Sequence, residues 1–201
     1  METESQKERR LRIEDAAYAV LQDKGYKGTS MLAIAKKAGC SNETLYRWYG
    51  NKQALFASLV VANAEILKPQ IEQLIHADGD TIEELRLLGP RLLDVVTSRK
   101  AVALNRAAAG DVYHTKTLGA AIAEGGKNTI APLVGQLIQN GLDRGFLQGG
   151  TAQQIGQIYI ALLIGDVQIQ RAIGVIPELT PQERNNRADR ACAVIQKLYG
   201  A

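Results

Sequence analysis

The stretch that decides the fold is GYKGTSMLAIAKKAGCSNETLYRWYGNKQALF, residues 25–56. Its apolar residues recur at helical spacing in two short segments, 31–38 and 42–48, and a serine that can cap a helix precedes each one. Gly39 lies between the segments and permits a tight turn. Helices of this length are not stable alone, so they must pack on the helices before and after them. Two short helices joined by a turn that contains glycine form a helix-turn-helix.

The pattern remains helical outward from this stretch. A first helix ends at Gly25, and a long fourth helix covers about 52–75, where Pro69 should bend or divide it. The later segments with helical spacing are 81–97, 100–111, 115–124, 126–144, 151–174 and 181–199. No alternating pattern of useful length indicates a strand, so the sequence predicts an all-α protein.

Aromatic residues are concentrated at the start of the chain. Six of the ten lie at or before Phe56. Because a small domain needs bulky side chains to fill its core, this shift predicts a boundary there. We expect a helix-turn-helix domain at 1–56 and a second domain at 57–201, joined by the long fourth helix.

The charge distribution is also uneven. The first 55 residues contain ten basic and seven acidic side chains, whereas the remainder contains fourteen of each. All of the net charge of +3 therefore lies in the first quarter of the chain. A basic end is what attraction to phosphate requires, although a chance excess of three charges is the alternative.

Composition argues against several other classes of protein. No run of 18 apolar residues predicts a membrane span, and the N-terminus lacks the apolar core of a secretory signal. Cys40 and Cys192 are far apart, so neither a disulfide nor a zinc site is expected, and a reducing cytoplasm fits. We find no Glu-x-x-His pair, no Ser/His/Asp set in a suggestive context and no glycine-rich phosphate loop. The sequence thus predicts neither an enzyme nor a cofactor or metal site.

Residues 25–56 resemble the DNA-binding domain of the tetracycline-repressor family. The matching pieces occur in order and at fixed spacing: Gly25-Tyr26, Thr29-Ser30, Ile34-Ala35, Ala38-Gly39, Ser41, Thr44-Leu45-Tyr46, Tyr49, Asn51-Lys52 and Leu55-Phe56. The resemblance implies a homeodomain-like N-terminal domain of three helices and a helical C-terminal domain for ligand binding and dimerisation. It implies a cytoplasmic transcriptional repressor.

The resemblance also implies which residues hold the DNA backbone. These contacts position the protein without specifying sequence, and they are made by Ser30, Thr44, Tyr46, Trp48 and Lys52. For Trp48, packing in the core is an equal alternative. Cys40 stands where the family usually has valine, so its small thiol fills a packing role, with redox sensing as the alternative.

Bases should be read from the start and the exposed face of the third helix. The candidates are Ser41, Asn42, Glu43 and Arg47, because asparagine suits adenine, arginine suits guanine and glutamate can accept from cytosine. Glu43 either reads a cytosine or, as we slightly favour, orients Arg47 four residues later. Leu32 stands where many relatives carry a polar reader, so that contact is lost or replaced by contact with a thymine methyl.

The C-terminal part resembles the family's AefR-like subgroup, through LIQNGLDRGFL at 137–147 and ALLIGDVQIQRAIG at 161–174. A pocket for an apolar or amphipathic effector is expected among the helices from about 81 to 175. Polar residues that can orient the effector are Asn105, Arg106 and Asp166. The alternative for each is an exposed position or a structural pair.

The last two predicted helices carry wide apolar stripes. By resemblance, such helices from two subunits form a four-helix dimer interface, with the stripe residues Tyr159, Leu162, Leu163, Val167, Ala188, Ala191, Cys192 and Ile195. The alternative is that the stripes face the protein's own core. A two-fold homodimer would read a near-palindromic operator in double-stranded DNA, and ligand would shift the subunits away from that arrangement.

Two rival functions remain open at this point. One is an enzyme built on a helical bundle, which detectable turnover without DNA affinity would favour. The other is a helix-turn-helix DNA binder that acts without a small-molecule ligand, either constitutively or under the control of a partner.

Overall fold

A computed structural model describes residues 4–77, 79–125 and 129–201. These residues are helical along most of their length, which confirms the predicted all-α class. The described residues form twelve α-helices: α1 (Glu4–Gly28), α2 (Met31–Ala38), α3 (Asn42–Tyr49), α4 (Lys52–Glu65), α5 (Lys68–Ile75), α6 (Thr81–Val96), α7 (Arg99–Asp111), α8 (Thr117–Gly125), α9 (Ala131–Asp143), α10 (Ala152–Ile164), α11 (Val167–Ile173) and α12 (Pro181–Tyr199).

The chain separates into two compact units. The first comprises the chain up to residue 62 together with residues 103–123, and the second comprises 63–102 and 124–201. Helices α4 and α7 each begin in one unit and end in the other. The domain boundary that we expect after residue 56 stays a prediction.

The first unit has its own apolar core. Helix α1 packs against α2, and α2 packs against α3. Leu45 and Phe56 are fully buried, and the Phe56 ring meets Tyr26 edge to face with ring centroids 5.3 Å apart. The same core contains four residues from much later in the chain: Ala103, Leu104, Ala107 and Leu118. This unit is therefore completed by the end of α7 and by α8.

In the second unit, α12 packs against α6 and α10, while α9 packs against α5 and α10. Two glycines allow the closest approaches. A Cβ at Gly89 would lie 2.6 Å from the Ala188 Cβ, and one at Gly141 would lie 2.5 Å from the Thr81 Oγ1. Tyr159 is buried between these helices and donates its hydroxyl proton to the Leu85 carbonyl over 2.6 Å. Packing here is therefore dense and specific in shape.

Two of the predicted long helices are divided. The helix expected at 52–75 breaks between Glu65 and Lys68, and Pro69 lies in the first turn of α5, where its missing N–H costs no hydrogen bond. The prediction of a single helix over 151–174 was wrong. Helix α10 ends at Ile164, because the next residue, Gly165, has a φ of 51° and a ψ of −127°, outside the helical region. The helix expected at 126–144 is observed as α9, and residues 126–128 lie outside the described part.

The stretch Lys52–Ile75 is long and apolar enough by composition to cross a bilayer. It is not a continuous helix, because residues 66 and 67 form a turn. Several of its large apolar side chains, among them Leu55, Phe56 and Ile71, are buried in the cores of the two units, whereas Val61 and Ile66 are exposed. Packing within the protein therefore accounts for part of its apolar character.

Candidate DNA-binding site

The turn between α2 and α3 is built by local interactions. The Ser30 Oγ accepts from the Ala33 N–H over 3.2 Å and so caps α2. Gly39 adopts the left-handed conformation, with φ 66° and ψ 35°, which a residue with a side chain rarely adopts. The Cys40 N–H then donates to the Ala35 carbonyl over 3.1 Å. The two helices are thus held close together by the turn that the sequence predicts.

Helix α3 has one fully buried residue. Leu45 is fully buried, whereas the neighbouring Tyr46 and Arg47 are exposed. Glu43 is also exposed, and Asn42 is half-buried. The candidates for base reading therefore share a helix whose face is largely open to solvent. Within the described residues Glu43 and Arg47 form no ion pair, so the orienting role that we favour for Glu43 has no counterpart in the free protein.

Two of the predicted DNA contacts are joined to each other. The Ser41 Oγ caps α3 by accepting from the Thr44 N–H over 3.1 Å, and the two hydroxyl oxygens are 2.9 Å apart. Ser41 and Thr44 therefore have a structural role already, and contact with DNA would be additional. Tyr46 differs, because 48% of its surface is exposed.

Lys52, at the start of α4, is the predicted contact with the strongest structural tie. Its Nζ donates to the Tyr26 carbonyl over 2.9 Å and lies 4.3 Å from the centroid of the Tyr26 ring. Burial lowers the pKa of the ammonium, and the Asp111 carboxylate opposes part of that shift. The side chain thus ties the start of α4 to the C-terminal end of α1, and whether it also binds phosphate stays a prediction.

Asp111, at the end of α7, was not found from the sequence. Its side chain is 1% exposed and accepts from the Thr115 hydroxyl and the Thr115 N–H. Burial raises the pKa of this carboxyl, but those hydrogen bonds and one from the Leu118 N–H outweigh burial and lower it. Asp111 also acts on Lys52 and Tyr26 electrostatically. The only local signal was an aspartate four residues before a threonine.

Trp48 takes the first of the two roles held open for it, packing in the core. It is half-buried and packs against the core of the first unit. The Arg9 guanidinium lies 6.0 Å from the centroid of its ring, and contact with the DNA backbone stays a prediction. Leu32 is 65% exposed on α2, which keeps contact with a thymine methyl open to it.

The stripe residues predicted for the dimer interface lie in the core of the second unit or are buried beside it. Seven of the eight are 0–3% exposed: Tyr159, Leu163, Val167, Ala188, Ala191, Cys192 and Ile195. This burial within one chain supports the alternative that the stripes face the protein's own core, and the part of these seven residues in a dimer interface stays a prediction. Leu162 alone among the eight is exposed, at 40%.

The three residues predicted to bind ligand do not belong to one unit. Asn105 and Arg106 lie in the first unit, half-buried and exposed, respectively. Asp166 lies in the second unit, is exposed, and accepts from the Gln170 side-chain amide. Their role in ligand binding stays a prediction.

The capped helix pair, the glycine turn and the open face of α3 define a helix-turn-helix DNA-binding protein. The sequence pattern of bacterial regulatory proteins of the tetR family matches residues 13–59, and that of the AefR-like transcriptional repressor C-terminal domain matches residues 83–201. The chain therefore belongs to the TetR family of bacterial regulatory proteins and has an AefR-like C-terminal domain.

Individual relatives agree with this assignment. The transcriptional repressor KstR of Mycolicibacterium smegmatis is 26% identical over 181 residues, which cover 85% of this chain and 78% of KstR. A protein from Mesorhizobium loti assigned to the same family superposes with a TM-score of 0.82 at 26% identity, over 100% of both chains. FadR from Bacillus subtilis in complex with stearoyl-CoA shares the fold, with a TM-score of 0.73 at 16% identity over 92% of this chain and 96% of FadR.

Proposed function

We propose that this chain is a cytoplasmic repressor that binds a near-palindromic operator as a homodimer and leaves it when a small apolar or amphipathic molecule binds its C-terminal region. The observation that carries the proposal is that Leu45 is the only fully buried residue of α3. Trp48 and Tyr49 pack partly against the core, but Glu43, Tyr46 and Arg47 are exposed and are therefore available to a major groove.

Two kinds of contact are assigned to this region. Arg47, with Asn42 and Glu43, reads base edges, because bidentate donors and acceptors distinguish base pairs in the major groove. Tyr46 holds the phosphate backbone, supported by the net positive charge of the first 55 residues.

The homodimer uses exposed residues beside the buried stripes. Helices α10 and α12 pack together, and they expose Leu162, Val194 and Leu198 at 40%, 38% and 58%, respectively. Large exposed aliphatic side chains on neighbouring helices are typical of a surface that binds protein. Two subunits related by a two-fold axis would present α3 to half-sites about 34–36 Å apart.

The effector is assigned to the region that matches the AefR-like repressor domain. The fold is shared with FadR, whose structure contains stearoyl-CoA, and this supports the capacity of the fold to hold an amphipathic molecule. Binding would lower DNA affinity by favouring a subunit arrangement that does not match two half-sites.

Selection of DNA from a random duplex pool tests the proposal. The purified protein should enrich a two-fold symmetric site at about 0.1 M salt, and enrichment should disappear at about 0.5 M salt because phosphate contacts release counterions. Arg47→Ala should change the enriched sequence. Arg91→Ala, which removes the same charge from an exposed site on α6, should not change it.

Two outcomes would contradict parts of the proposal. If folded dimer, refolded to strip any bound molecule, enriches no site, the DNA-binding function is wrong. If it enriches a site but no apolar or amphipathic compound releases it, the rival reading of a DNA binder without a small-molecule ligand replaces the effector mechanism.

A further inference from the structure

We propose that the first helix adds a second contact to the DNA backbone, made by Arg9 and Arg10 beside Trp48, outside the helix-turn-helix itself. The ligand is a phosphodiester of the duplex that α3 enters. The proposal rests on the DNA-binding part of the proposed function and extends it to α1, a helix with no predicted DNA contact.

The placement of these arginines follows from the periodicity of α1. Ile13 is 1% exposed and anchors α1 in the core of the first unit. Arg9 and Arg10 precede it by four and three residues, so they share its side of the helix one turn nearer the N-terminus. Both are exposed. The same side of α1 is therefore buried at Ile13 and exposed one turn earlier, where its two arginines lie beside the end of α3.

Contact with α3 orients one of the two guanidinium groups. The Arg9 Cζ lies 6.0 Å from the centroid of the Trp48 ring, within the range of a cation–π interaction. A planar guanidinium held over an aromatic ring loses less conformational entropy when it then binds phosphate. Trp48 thereby connects α1 to the helix that carries Arg47 and Tyr46.

A cleft next to this pair has the chemistry of a phosphate site. Its volume is about 390 Å³, and it is lined by Gln6, Arg10, Trp48 and Tyr49. Each of these side chains carries a hydrogen-bond donor: an amide, a guanidinium, an indole N–H and a phenol. Phosphate oxygens accept from such groups, and arginine binds them in a bidentate manner.

Local charge favours the same ligand. Residues 4–12 contain four basic side chains and two acidic ones. This excess lies at the N-terminal end of α1, where the helix dipole adds positive potential. A duplex docked on α3 would meet this field at the strand that borders the groove.

The test is the salt dependence of DNA binding by full-length Arg9→Ala/Arg10→Ala protein. With the site enriched by wild-type protein and with random duplex, we expect affinity at about 0.1 M salt to fall roughly tenfold on both. The slope of log affinity against log salt should decrease in magnitude by about 1.8, because each lost phosphate contact contributes about 0.9. Arg9→Lys, which keeps the charge, should retain its share of the slope.

Arg12→Ala is the matched control, because Arg12 is an exposed arginine of the same helix on a different side. It should change the slope by less than half as much as the double variant. Trp48 is the single tryptophan, so DNA should change its fluorescence in wild-type and Arg12→Ala protein and change it less in the double variant. Equal thermal midpoints show that the variants are folded.

The outcomes separate this inference from the proposed function. If wild-type protein binds the enriched site but the double variant has the same affinity and slope, the inference is wrong while the proposed function stands. If Arg12→Ala changes the slope by half as much as the double variant or more, so that the effect per charge removed is the same, a general field rather than a contact is responsible, and the inference is again wrong. If wild-type protein binds no DNA, both are overturned before any variant is compared.

Discussion

Helices α3 and α12 use their side chains in opposite ways. Of the eight residues of α3, only Leu45 is buried, whereas α12 buries a full stripe formed by Ala188, Ala191, Cys192 and Ile195. A helix with one fully buried residue leaves most of its surface to a partner molecule, whereas a helix with a continuous buried stripe forms part of the core. Glu43, Tyr46 and Arg47 of α3, which we predict to contact DNA, are therefore accessible. The α12 residues predicted for the dimer interface are buried.

The largest effect should come from truncating the buried stripe. Ile195→Ala should lower the free energy of unfolding by about 2–5 kcal/mol, because it leaves a cavity in a fully packed core. Leu198→Ala, three residues later on α12 and 58% exposed, should leave stability nearly unchanged and weaken the homodimer. Denaturant unfolding and sedimentation equilibrium measure the two effects. If folded Ile195→Ala protein lost as much dimer affinity as Leu198→Ala protein, the buried stripe would be part of the dimer interface.

A glycine pair on α9 sharpens the comparison within the second unit. Gly141→Ala should destabilise the protein by about 1–3 kcal/mol, since the new Cβ would meet the Thr81 side chain at 2.5–2.8 Å. Gly135→Ala, on the same helix with open space around it, should instead stabilise it by about 0.5–1 kcal/mol. Thermal unfolding of both variants tests this prediction. Equal shifts of the thermal midpoint in the same direction would show that close packing at Gly141 does not exclude a larger side chain.

On α3 the expected effects are on DNA rather than on stability. Arg47→Ala should remove about 1–3 kcal/mol of discrimination at one base pair, because an exposed arginine that reads guanine is lost. Tyr46→Phe should weaken binding to all sequences alike. Competition binding against single-base variants of the enriched site tests this. A uniform loss for Arg47→Ala would make Arg47 a backbone contact.

Lys52 should affect both DNA binding and stability. Lys52→Ala should reduce the salt slope by about 0.9 if its ammonium binds a phosphate. It should also cost about 0.5–1.5 kcal/mol of stability, since the hydrogen bond to the Tyr26 carbonyl is lost. Lys36→Ala, which removes an exposed charge from α2, is the control for both measurements. Lower stability with an unchanged slope would leave Lys52 with a structural role alone.

The smallest effect concerns the two cysteines. Burial raises the pKa of Cys192 to about 11, whereas Cys40 is only half-buried. Near pH 8 a maleimide should therefore label Cys40 much faster than Cys192. The unfolded thiol loses its proton near pH 9, before the folded one, so the contribution of Cys192 to stability is full below that pH and falls as the pH rises towards 11. Cys192→Ala should lack this part of the decline, and equal labelling rates in folded protein would contradict the burial.

The sequence predicted the helix-turn-helix closely and the C-terminal region less well. The bounds of α2 agree with the prediction, and α3 extends one residue beyond it, because Ser30, Gly39 and Ser41 act through contacts within a few residues of themselves. The break at Gly165 was missed, since an isolated glycine inside an apolar run does not by itself end a helix. The part played by Asp111 was also missed, because Lys52 and Tyr26 are distant from it in the chain.

What the sequence by itself determined is the all-helical class, the family and the capped turn between α2 and α3, since caps, glycine turns and helical spacing are local properties. Only the tertiary structure decided that most stripe residues on α10 and α12 are buried within the chain itself. A wide apolar stripe can be buried equally well by its own chain or by a second copy, and spacing does not distinguish the two. That choice depends on the close approach of α6 to α12 at Gly89 and on Tyr159, contacts between residues that lie about 70 or more positions apart.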